Sequence, residues 1–135
     1  MSLRAIPVTV LPFILYFLFL LTGIDLNGSL FGDGIRMMSG GVWRLTWGDI
    51  LLAITMICLF TEILKATYTS TTSMIDHGLS MVLFIAALIA FLMLPQASTS
   101  IFFLILVALL IDVVAGFMIG IRVAKRDIGF GGGDQ

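Results

Sequence analysis

The chain has 135 residues, of which 60% are hydrophobic and only 11% charged, with a net charge of −1. Soluble domains carry about 25% charged residues, so this balance, with a mean hydropathy of +1.19, excludes a water-soluble domain and reads as a polytopic membrane protein. There is no basic field to bind nucleic acid, and one cysteine, Cys58, can make neither an internal disulfide nor a zinc site.

The chain opens with "MSLRAIPVTVLPFILYFLFLLTG", one Arg followed by a long apolar run. The run is longer than a secretory h-region and no A-x-A site follows, so it reads as a retained first span over about 5–22. Pro7 suits a first helical turn, whereas Pro12 removes an amide and predicts a kink.

The connection 23–47 is long and glycine-rich. Asp25, Asn27 and Asp33 lie in it, but the spacing of Gly28 and the missing terminal Glu exclude an EF-hand loop. Phe31, Ile35 and Met38 with Arg36 predict a short interfacial helix. Trp43 and Trp47 precede the second span and are expected to anchor in the headgroup layer.

The second span, about 48–67, closes on "TEILKAT". Glu62 and Lys65 stand at i, i+3 and can pair, which lowers the cost of inserting both. Lys65 is near enough to the span's end to reach towards water. Cys58 lies in an apolar run and reads as a small packing residue.

A Ser/Thr-rich loop, "YTSTTSMID", leads to the third span at about 79–95. Asp76 is placed to cap that span's N-terminus, where an acid favours the helix dipole. His77, the only histidine, is a pH-sensitive or interfacial neighbour; one His with no second candidate does not make a metal site. Pro95 ends the span, and "QASTS" is a tight turn into a fourth span at about 99–121.

Asp112 lies in the middle of "LVALLIDVVAGFMIG". A charge at mid-membrane costs about 2.5–3.5 kcal/mol on insertion scales, so such residues face protein or water. Ala108, Asp112, Gly116 and Gly120 recur every fourth residue, a stripe of small residues that includes a G-x-x-x-G pair. At about 1.5 Å per residue, Asp112 is about 18 Å from Ser100 and Glu62 about 20 Å from Asp49. The two acids therefore share a depth. The plain reading is helix packing; the sharper one is proton handling by a carboxylate dyad.

With four spans both termini share one side, which would hold Arg4, Lys65, Arg122, Lys125 and Arg126 against Arg36 and Arg44 on the other. The positive-inside rule then predicts an antiparallel bundle of four transmembrane helices with both termini cytoplasmic and the 23–47 loop outside. The expected location is a bacterial inner membrane. The expected organisation is a four-span domain, 1–127, and a disordered tail, 128–135.

No P-loop, nucleophile elbow, H-E-x-x-H or cysteine pair occurs, so neither catalysis nor a metal or cofactor is expected. The functional expectation is a non-catalytic accessory or assembly subunit of a larger inner-membrane complex, its partners being the lipid bilayer and other membrane subunits or further copies. The alternative is an oligomeric proton-coupled carrier or channel using Asp112 with Glu62. A holin-like pore former is a third reading, on size alone.

Overall fold

The computed structural model describes residues 5–67 and 71–131. Within them lie four helices: α1 (Val10–Leu21), α2 (Trp47–Ala66), α3 (Thr71–Met93) and α4 (Ser100–Gly131). Two short strands, β1 (Ile35–Arg36) and β2 (Val42–Trp43), and a 3₁₀ turn at Pro95–Ala97 complete the fold. Three stretches are long and apolar enough to cross a membrane: Trp47–Ala66, Met74–Met93 and Ser100–Arg122.

The first apolar run differs from expectation. α1 has 12 residues, about 18 Å of helix at about 1.5 Å per residue, and it starts at Val10 rather than near residue 5. Pro12 consequently lies in the first turn, where an amide has no intrahelical acceptor to lose, so it needs no kink.

The predicted interfacial helix in the first connection is absent, and a hairpin stands in its place. β1 and β2 pair antiparallel, Ile35 opposite Trp43 and Arg36 opposite Val42. Gly34 (φ +101°) and Gly40 (φ +89°) take left-handed conformations that an α-helix cannot contain. The loop is tied to the start of α2 by Gly48 N–H donating to Leu26 O (2.8 Å) and Leu30 N–H to Leu45 O (2.9 Å). Thr46 and Asp49 then cap α2 reciprocally: Asp49 N–H donates to Thr46 Oγ1 at 3.1 Å, and Thr46 N–H to Asp49 Oδ2 at 3.0 Å.

α3 begins at Thr71, inside the Ser/Thr-rich stretch expected to be a loop. Asp76 is thus more than a turn inside the helix and does not cap it; its carboxylate pairs across to α2 instead. α4 runs on to Gly131, so residues 128–131 are helical rather than part of a tail. Residues 132–135 of that expected tail lie outside the described residues.

α4 packs against both α2 and α3, and its buried side is lined by Phe102, Ile105 and Leu109. Phe102 meets the Tyr16 ring edge-on at 4.9 Å and stacks on Phe91 at 6.3 Å. Tyr16 is fully buried, and its hydroxyl donates to Gln96 O at 2.6 Å and exchanges a hydrogen bond with Thr99 Oγ1 at 2.8 Å. One phenol therefore fastens α1 to the turn between α3 and α4. The outward faces stay apolar: Met56, Ile57 and Phe60 on α2, Val82 and Ile89 on α3, and Phe117 on α4 are exposed.

Candidate functional site: a buried carboxylate cluster

Glu62, Asp76 and Asp112, from three different helices, are each about 2% exposed. Buried carboxylates are tolerated only when paired or hydrogen-bonded, and each has a distinct arrangement. Lys65 Nζ lies 3.0 Å from Glu62 Oε1 and 3.1 Å from Asp76 Oδ1. The i, i+3 spacing sets the first contact. The second follows because α3 begins just after α2 ends, which brings Asp76 back to the last turn of α2.

The irregular segment before α1 closes the cluster. Ala5, Pro7 and Thr9 are buried, and buried backbone without helical hydrogen bonds requires other partners. Val8 N–H donates to Glu62 Oε1. Ile6 O accepts from Lys65 Nζ at 3.1 Å. Thr9, fully buried, donates its hydroxyl to Asp112 Oδ2 at 3.0 Å. The polar groups of this segment and the ionisable groups of the helices thus satisfy one another.

Asp112 and Glu62 are not hydrogen-bonded to each other among the described residues. They bind neighbouring donors, Thr9 and Val8, so the first segment stands between them. The partner that shares a cation with Glu62 is Asp76. Along the small-residue stripe, Ala108 and Asp112 are buried, and Gly116 lies against the His77 ring. Among the described residues Gly120 has nothing within 4 Å of where a Cβ would stand, so the second glycine of the G-x-x-x-G pair has open space on that side. Trp47 opens α2, with its ring 6.1 Å from that of Phe19. Trp43 is half exposed on β2.

Two members of the site escape a reading by residue type. Thr9 and Ser80 are common hydroxyl residues inside apolar runs. Ser80 has a weak signal in retrospect: it stands four residues after Asp76, on the same face of α3. Its hydroxyl is buried without a hydrogen-bond partner.

Chemically, the cluster can hold charge and protons. Among the described residues, no group of three or more His, Cys, Asp or Glu is arranged to hold a metal ion. Comparison with family profiles, with curated proteins and with solved structures finds no match to this chain.

Proposed function

We propose that this chain is a non-catalytic accessory or assembly subunit of a larger membrane complex. The supporting observation is the hairpin between α1 and α2. Phe31, Ile35, Met37, Met38, Val42 and Trp43 are all exposed there, on an ordered element outside the helices. A cluster of exposed apolar side chains in a connecting loop, where water rather than acyl chain is the default neighbour, supports a contact site there.

The threading proposed with it is an antiparallel four-span bundle with both termini cytoplasmic, in a bacterial inner membrane. Pairwise contacts support the direction of each helix. Phe19 meets Trp47 at one end of α1, and Val8 meets Glu62 at the other; Tyr16 and Thr9 meet α4 in reversed order. The excess of Lys and Arg at the cluster end supports its cytoplasmic placement.

The test is purification in mild detergent with the complex intact. The expected result is a second membrane protein at fixed stoichiometry, lost when Met38 and Val42 are both replaced by Glu while the chain still accumulates. Wild-type protein that always elutes alone, at the same particle size as the Glu variant, would defeat the reading.

A second reading, an oligomeric proton-coupled carrier or channel using Asp112 with Glu62, is favoured by the excess of buried acids over buried bases. Purified protein in proteoliposomes would then show proton flux that Asp112→Asn abolishes.

A further inference from the structure

We propose that α4 carries, beyond the end of α2, a site for one anionic phospholipid, with an acyl chain along Ala115, Met118 and Ile119 and the headgroup phosphate on Arg122. This stands apart from the subunit reading and from the carboxylate cluster. It needs only that α4 crosses the bilayer.

The site follows from unequal helix lengths. α2 and α4 run in the same direction. Ile101 lies against Gly48 near their starts, and further along Glu62 and Asp112 bind the adjacent residues Val8 and Thr9. That register brings Ala66, the last residue of α2, level with residues 116–119, whereas α4 continues to Gly131. The side of α4 that meets α2 at Ile101 recurs every seven residues, through Ala108 and Ala115 to Arg122. Along it Ala108 is buried, Ala115 half-buried and Arg122 exposed. The ridge loses its cover as α2 ends. There Ala115, Met118, Ile119 and Arg122 line a groove of about 230 Å³. Sites for drug-sized molecules hold roughly 300–1,000 Å³, so this groove suits a stretch of hydrocarbon chain rather than a whole soluble ligand.

Depth and charge select the occupant. The apolar stretch Ser100–Arg122 has 23 residues. At about 1.5 Å per residue it is about 34 Å long, against a hydrocarbon layer about 30 Å thick. Arg122, its last residue, therefore stands at the level of the headgroups, and the apolar part of the groove lies among acyl chains. The one charge among the lining residues is a guanidinium, a planar set of donors that grips a phosphate with two parallel hydrogen bonds. Lys125, also exposed, follows three residues on, on the same side of the helix. A zwitterionic headgroup brings its own ammonium to oppose these two cations, and an anionic headgroup does not. Basic residues next to the end of a membrane helix attract anionic lipid for this reason.

Native mass spectrometry of the full chain, released from detergent micelles holding equal amounts of phosphatidylglycerol and phosphatidylcholine, tests this. One phosphatidylglycerol per chain should stay bound in preference to phosphatidylcholine. Arg122→Gln should lower the preference about fivefold, the effect of one basic residue at an anionic surface, and Arg122→Lys should keep most of it. Ala115→Phe fills the groove while both cations remain, and should weaken retention of the lipid. Arg44→Gln, in the hairpin at the other end of α2, should leave the preference unchanged. Because Arg122 is exposed, its two variants keep the test decisive if Ala115→Phe fails to fold. Equal retention of the two lipids, or a preference that survives Arg122→Gln or falls as far with Arg44→Gln, would overturn the proposal. So would a lipid-free dimer, which would assign the groove to a second copy of the chain. Displacement of the lipid by inorganic phosphate, but not by sodium chloride of equal ionic strength, would also overturn it and leave a site for the free anion.

Discussion

The imidazole of His77 lies over Gly116, so close that a methyl group on the glycine would stand 2.5 Å from the ring Cε1. Glycine here is what lets α3 and α4 approach at the level of the cluster. Gly116→Ala should force the ring aside and destabilise the protein by about 1–3 kcal/mol. Gly120→Ala, with open space around it, should change stability by less than about 0.5 kcal/mol. Unfolding in mixed micelles by titration with a denaturing detergent, followed by tryptophan fluorescence, measures both.

Lys65 balances two carboxylates, so its removal should be felt through them. Lys65→Met leaves Glu62 and Asp76 buried without their cation, and breaking a buried pair costs about 3–5 kcal/mol. Because Lys65 is 24% exposed at its side chain, the lower end of that range is expected. Adding Glu62→Gln to Lys65→Met should recover part of the loss. A double variant less stable than Lys65→Met alone would show that charge balance is not what Lys65 supplies.

Thr9 offers a separate probe of Asp112. A hydrogen bond between neutral partners is worth about 0.5–1.5 kcal/mol, and one to a charged group about 1.5–3 kcal/mol. Thr9→Val removes this hydrogen bond and should cost about 0.5–3 kcal/mol, and Thr9→Ser should cost less. A loss at the upper end of the charged range, in the same unfolding assay, would place an ionised carboxylate opposite Thr9.

Gly34 controls the hairpin alone. Its φ of +101° disfavours any side chain, and a Cβ would lie 2.8 Å from Val42 Cγ1 and 2.9 Å from Trp43 O. Gly34→Ala should open the strand pair while the helices remain. The expected outcome is faster proteolysis within the 23–47 connection with unchanged helical circular dichroism. Equal protease resistance in the two proteins would count against a formed hairpin.

The three long helices were legible because acyl-compatible side chains repeat over the length a bilayer needs. The start of α3 was not. A Ser/Thr run can hydrogen-bond its own backbone in a turn or stay helical, and the choice here follows Asp76, whose pairing with Lys65 is a tertiary contact. The hairpin was missed for a related reason. Spacing the apolar residues of 31–38 along a helix ignored the glycines among them, and it is Gly34 and Gly40 that set the backbone. At the site, Glu62, Lys65 and Asp112 stood out because charges are rare in such runs. Thr9 and Ser80 did not, since a hydroxyl in an apolar helix carries no signal until its neighbour is known. The distance along the chain from Thr9 to Asp112, 103 residues, puts that contact beyond any local pattern.

That same separation governs biogenesis. Glu62, Lys65 and Asp76 lie close in sequence, and one ammonium bridges the two carboxylates across the α2–α3 junction, so this pair of helices can insert with its charges already partly balanced. Thr9 has by then been synthesised and waits without its acceptor until Asp112 emerges with the last helix. The N-terminal segment, already held to α2 through Val8 and Ile6, therefore gains this contact to α4 only after the C-terminal helix is inserted. A nascent chain halted before residue 112 would leave the Thr9 hydroxyl without its acceptor.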